Sequence, residues 1–194
     1  MARKIFLGAR IFDGERFHDD KALITAGGRV EAIVARNDLP DGEIVTLAGG
    51  VLSAGFIDAQ VNGGGGRMLN DEPSAASMDI IAGGHRPYGT TSLLPTLITD
   101  TSEASIAAIE AAKEAVKASR GVAGLHLEGP HLAPARKGAH LAELMRPVEE
   151  RDVKTFIRAR EEIGTLLVTM AAEQVTVAQA VSYTHLTLPT KRIV

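Results

Sequence analysis

Hydrophobic and polar positions change rhythm once along this chain, near residue 50. Before that point apolar residues come in short runs over 4–7, 10–12, 22–25, 30–35 and 43–47, separated by Asp-Gly, Gly-Gly and Pro-Asp-Gly turns. That pattern predicts short strands. Strands of this length bury little by themselves, so residues 1–50 read as a small β-sandwich segment resting on something larger. Gly49-Gly50 reads as a hinge from one layer into the next.

After residue 50 the pattern becomes strand, loop, helix. Residues 51–61 hold an apolar strand centred on 55–59, followed by the glycine run 63–66. Pro73 suits the first position of a helix over 74–88. Residues 91–97 form a second apolar strand. Asp100 and Glu103 read as a capping pair for an Ala/Glu/Lys-rich helix reaching Ser119. Residues 122–128 are a third strand. Val153, Phe156, Ile157 and Ile163 share one helical face that Gly164 closes, and 166–171 is a fourth strand.

Four successive β-α units with apolar strands predict an α/β fold with a parallel sheet. A doubly wound sheet and a (β/α)8 barrel both satisfy the pattern, and periodicity does not choose between them. Four units are half a barrel.

Composition narrows the chemistry. Among 194 residues, 45% are apolar and 23% charged, with a net charge of −3 and no basic block. Neither nucleic acid nor an anionic membrane surface is expected as a partner. No stretch reaches transmembrane length and no leader is evident, so a cytoplasmic protein is expected. The absence of cysteine excludes disulfides, thiolate ligands and a thiol nucleophile.

The last segment, 181–194, resembles nothing before it. Back-translated, residues 181–190 can be written as the transposase adaptor of tagmentation libraries, so 181–194 reads as a non-native sequencing-adaptor tail. The native chain is then expected to break off near Ala180 in mid-gene, with 51–180 as its second domain. Without the tail, 19 basic residues stand against 24 acidic ones, a net charge of −5.

The chemistry gathers around Leu125-His126-Leu127-Glu128-Gly129-Pro130-His131 and the following Lys137-Gly138-Ala139-His140. Glu128 ends an apolar strand, where catalytic groups sit in α/β barrels. A carboxylate there calls for a cation, hydrogen-bond donors or solvent. His126 alternates with Glu128 and so points to the same side. It reads either as a partner behind Glu128 or as a hydrogen-bonded core histidine. His140 follows a flexible basic turn suited to an anionic or polar ligand. His85 reads as a helix-surface residue, and His18 and His185 as inert.

Other chemistries lack their motifs. Gly63–Gly66 has neither the G-x-G-x-x-G nor the G-x-x-x-x-G-K-[ST] arrangement, so it reads as a flexible loop passing close to a site rather than as a nucleotide cradle. No G-x-S-x-G elbow occurs.

Three segments in order, 55–63 (GFIDAQVNG), 90–99 (TTSLLPTLIT) and 125–130 (LHLEGP) followed by Lys137-Gly138-Ala139-His140, resemble the N-acetylglucosamine-6-phosphate deacetylase family of the amidohydrolase superfamily. The resemblance runs from about residue 5 to residue 175. It implies the N-terminal half of a metal-dependent (β/α)8 barrel preceded by a small β-sandwich, and a homodimer for the full-length protein. The implied reaction is hydrolysis of the acetamide of N-acetylglucosamine 6-phosphate to glucosamine 6-phosphate and acetate. Glu128 matches the family's metal-ligating glutamate, and Ala139 and His140 match positions that contact the amino-sugar phosphate. Gln60 and Asn62 stand where two-metal members carry His-x-His, so one divalent metal per subunit, zinc, is expected. With His126, they count as supporting or vestigial metal positions. The family's catalytic aspartate and two histidine ligands match nothing here, so the fragment itself is expected to be inactive. Met170-Ala171-Ala172-Glu173 departs from the relatives' proline before the glutamate, without functional weight.

Two other readings stand beside this one. A dihydroorotase-like or imidase amidohydrolase would normally keep the His-x-His pair. In a non-catalytic protein Glu128 would serve the fold alone.

Overall fold

The computed structural model describes residues 2–184, and most of the expected adaptor tail lies outside them. The chain divides into two compact units, Met1–Gly55 and Phe56–Val194.

The first unit holds seven short strands: β1 (Arg3–Leu7), β2 (Arg10–Phe12), β3 (Phe17–His18), β4 (Lys21–Ala26), β5 (Arg29–Ala35), β6 (Glu43–Thr46) and β7 (Val51–Leu52). They make two sheets, of order β5-β4-β1-β6 and β3-β2-β7. Ile5, Ala22 and Ile24 are buried together, with Leu7, Ala32, Val34 and Leu39 packed on them. The Gly49-Gly50 hinge falls inside this unit, because Arg10 N–H donates to Gly50 O and β7 pairs in parallel with β2. Residues 51–55 therefore belong to the first unit rather than to the strand that follows. His18 on β3 is tied to Asp13 by a 2.6 Å contact.

In the second unit β8 (Phe56–Val61), β11 (Thr90–Ile98), β12 (Leu125–Glu128) and β13 (Leu166–Thr169) form an all-parallel sheet of order β13-β12-β11-β8. A two-residue hairpin, β9 (Gly63–Gly64) and β10 (Arg67–Met68), follows β8. Helices α1 (Ala75–His85), α2 (Ser102–Ala118) and α3 (Glu150–Ile163) connect successive strands, and α4 (Val177–Thr184) follows β13 without any counterpart in the sequence reading. Strand order follows chain order with no reversal. Right-handed crossovers then put α1, α2 and α3 on one face. A doubly wound sheet needs a reversal and helices on both faces, so the architecture is that of a half-barrel.

Alternation along the strands assigns the faces. Leu125 and Leu127 of β12 join Leu93, Leu97, Met78, Ile81, Ile109, Phe156 and Ile163 in the core beneath the helices. His126 and Glu128 take the opposite side of the strand. Pro95 cannot donate to a ladder, and the β11–β8 register shifts between Leu93 and Pro95.

Several local expectations change. The α2 cap is Thr101, whose hydroxyl accepts from Ala104 N–H, while Asp100 turns away to accept from Asn70 Nδ2 at 2.8 Å. Close packing accounts for Gly63, Gly64 and Gly65 of the glycine run. A Cβ on Gly64 would lie 2.8 Å from the His85 ring and 2.9 Å from Ile81 O. His85 is thus half-buried against this loop, its Nε2 2.9 Å from Gly63 O, rather than on the helix surface.

Candidate active site

The site sits at the C-terminal ends of the parallel strands, where side chains from β8, β11 and β12 converge. Glu128 ends β12. Its Oε2 accepts a 3.0 Å hydrogen bond from Gln60 Nε2, which reaches across from the end of β8. Its Oε1 faces His140 Nε2 at 3.9 Å, beyond hydrogen-bond length. Among the described residues Glu128 Oε1 makes no direct hydrogen bond, and an imidazole lies beside it.

Two further contacts hold this strand end. Gly129 N–H donates to Thr169 O at 3.3 Å, and Thr99 Oγ1 lies 3.3 Å from Glu128 O. Gly129 has φ 104°, a conformation that favours glycine, and a Cβ there would collide with the Thr99 hydroxyl. The loop after β12 is pinned at its neck: Arg146 N–H donates to Pro130 O, and His131 Nδ1 lies 3.1 Å from Arg146 O. Arg146 in turn grips Asp152 at the start of α3 through two bonds of 2.6 and 2.7 Å. Burial pulls the Asp152 carboxyl upward, but the Arg146 guanidinium, the Glu149 N–H and His131 together hold it below its ordinary value. His131 is fully buried, and among the described residues its Nε2 has no hydrogen-bond partner, with Asp152 Oδ2 at 3.7 Å. Burial pushes its pKa down.

His140 lies on this loop. Its Nδ1 accepts from Thr99 N–H at 3.3 Å and sits 2.9 Å from Thr99 Oγ1. Ala139 beside it is exposed.

The sequence-derived residues do not all meet. Glu128, Gln60 and His140 come together. His126 instead spans two neighbouring strands, with Nδ1 3.2 Å from Thr96 Oγ1 on β11 and Nε2 2.8 Å from Thr169 Oγ1 on β13. It is 1% exposed, and burial lowers its pKa, with Glu128 pulling the other way. Both its nitrogens are engaged by hydroxyls rather than by Glu128. Asn62 lies exposed past the end of β8. Thr99 lies just past the apolar strand read over 91–97, within the 90–99 segment of the resemblance, and sequence reasoning gave it no role; its position at the strand end was the available signal. Among the described residues no group of three or more His, Asp or Glu side chains converges. Of the side chains gathered here, Glu128 supplies the carboxylate, Gln60 an amide and His140 an imidazole.

No family model matches the chain. Over 134 residues it is 43% identical to an N-acetylgalactosamine-6-phosphate deacetylase of Shewanella, covering 69% of this chain and 34% of that one. Over 160 residues it is 36% identical to an N-acetylglucosamine-6-phosphate deacetylase of Haemophilus influenzae, covering 81% and 42%. The crystal structure of N-acetylglucosamine-6-phosphate deacetylase from Pasteurella multocida superposes with a TM-score of 0.88 at 31% identity, over 95% of this chain and 48% of that one. The chain thus spans about a third to a half of the length of these relatives.

Proposed function

We propose that this chain, a relative of the N-acetylhexosamine-6-phosphate deacetylases over part of their length, supplies part of an active site that hydrolyses the acetamide of N-acetylglucosamine 6-phosphate to the free amine and acetate. The observation that carries the reading is Glu128 at a parallel-strand end, held by Gln60 from across the sheet and flanked by His140. A homology of up to 43% identity supports the same class. Because that value belongs to a galactosamine-named relative, the C4 epimer is a second substrate reading.

In this reading the half-barrel is one half of a (β/α)8 barrel, and the two small sheets of residues 1–55 are its β-sandwich. A divalent metal, zinc here, would take Glu128 as one ligand and would supply Lewis acidity toward the acetamide carbonyl and water. Gln60 and Asn62 hold the places of a His-x-His pair, and amides bind such metals less well than imidazole, which favours one metal per subunit. Gln60 fixes the Glu128 carboxylate by its amide bond. His140, presenting Nε2 beside Glu128, and Ala139, exposed on the same loop, would meet the sugar phosphate. His126 braces β12 against β11 and β13. The protein would act as a dimer in the cytoplasm; among the described residues no helix is long and apolar enough to cross a membrane.

The test is acetate release from N-acetylglucosamine 6-phosphate by the protein expressed from its own locus, followed by proton NMR, with the galactosamine epimer in parallel. Turnover that Glu128→Gln abolishes is expected. Absent turnover with either epimer, or turnover indifferent to Glu128→Gln, would overturn the reading.

A further inference from the structure

We propose that Thr99 is a positioning residue for His140, locking the imidazole as its Nε2–H tautomer and presenting that proton beside Glu128 to an oxygen of a bound sugar phosphate. The inference deepens the reading in which His140 meets the ligand, and its first part stands without it. A backbone amide only donates, so the 3.3 Å bond from Thr99 N–H requires Nδ1 to accept. A neutral imidazole whose Nδ1 accepts carries its proton on Nε2. The Thr99 hydroxyl has one proton for two acceptors, Nδ1 at 2.9 Å and Glu128 O at 3.3 Å, and given to the nearer Nδ1 it strengthens the same tautomer.

Thr99 suits the task because it is itself held. It is 4% exposed, directly beyond β11. Gly129 leaves the space the threonine side chain occupies, since any Cβ there would strike its hydroxyl. One residue therefore touches both the carbonyl of Glu128 and the ring of His140, and couples the end of β12 to the loop after it. At 3.9 Å from Glu128 Oε1, the Nε2–H is not consumed by the carboxylate and stays a donor for a ligand oxygen.

Nitrogen NMR of the chain labelled with ring-15N histidine tests this directly, at a pH above the histidine range. His140 is expected almost entirely as the Nε2–H tautomer. Thr99→Val, which keeps the amide but loses the hydroxyl, is expected to lower the Nε2–H to Nδ1–H ratio about fivefold, while Thr99→Ser restores it. The His126 and His131 resonances report whether each variant keeps the fold. A wild-type His140 in the Nδ1–H tautomer overturns the proposal, whatever the variants do. So does a folded Thr99→Val protein with the wild-type ratio. These arms need neither metal nor substrate, so failure of the deacetylase reading, judged by acetate release, is distinguishable from failure here.

Discussion

Gln60 and Glu128 stand at the ends of β8 and β12 with β11 between them, yet they meet: Gln60 Nε2 donates to Glu128 Oε2 at 3.0 Å. The bond crosses the full width of the middle strand. It fixes which carboxylate oxygen is engaged and which is left facing His140. The two residues are 68 positions apart, so only the parallel topology brings them together.

Replacing that amide by a second carboxylate tests the contact. Gln60→Glu keeps size and puts two acidic groups about 3 Å apart, which costs on the order of 1 kcal/mol at neutral pH in this partly exposed site. The loss should shrink in acid, once either carboxyl takes up a proton. Urea denaturation of both proteins at several pH values measures it. Equal stability at all pH values would mean the two side chains do not face each other.

The His126 bracket makes a second prediction. Thr169→Val removes the 2.8 Å partner of a nitrogen that is 1% exposed as a residue, and should cost about 1–3 kcal/mol. Thr96→Val should cost more, because Thr96 Oγ1 also accepts from Val61 N–H at 2.9 Å and two buried groups then lose their partner. Denaturant midpoints rank the two variants. A Thr96→Val protein no weaker than Thr169→Val would contradict the assignment.

What could be read from the residues alone follows from which forces are local. The four sheet strands β8, β11, β12 and β13, helices α1 to α3 and the strand-end place of Glu128 were legible because alternation and helical spacing are properties of neighbouring residues. The choice of barrel over doubly wound sheet was not, because it depends on strand order. Asp100 illustrates the same limit at one residue: its spacing to Glu103 suits a cap, but Asn70, 30 positions away, claims it and leaves Thr101 to cap α2. His85 looked like surface because the loop that receives it lies 22 positions earlier. Thr99 was hidden for the same reason.

Buried histidines set a pH dependence. Burial lowers the pKa of His126 and of His131 from 6.5, so the folded state holds them neutral. Below about pH 6.5 the unfolded chain binds more protons than the fold, and stability falls as pH falls until the folded pKa values are also passed. The Asp152 carboxyl, held low, adds to the loss only further into acid, below its ordinary 3.8. His131→Phe should flatten the upper part of this slope. At neutral pH it should change stability by no more than about 1 kcal/mol, since losing the bond to Arg146 O offsets removal of an unpartnered nitrogen. Thermal unfolding from pH 8 to pH 5 reads both effects; an unchanged slope would show that His131 is not the titrating group.

Two neighbouring glycines in α1 should respond to the same substitution with opposite signs. At Gly83 an added Cβ meets nothing within 4 Å. Gly83→Ala should therefore stabilise the protein by about 0.5–1 kcal/mol, through helix propensity and a less flexible unfolded chain. At Gly84 the added Cβ would run into the backbone of Gly65, 3.0 Å from its Cα and 3.1 Å from Gly64 C. The helix must then move off the loop, at a cost of about 1–3 kcal/mol. The displacement would also pull His85 from Gly63 O. Chemical denaturation of the two variants side by side gives the signs. If both alanines stabilise, the glycine run is not where α1 makes its close approach, and the packing account of residues 63–65 fails.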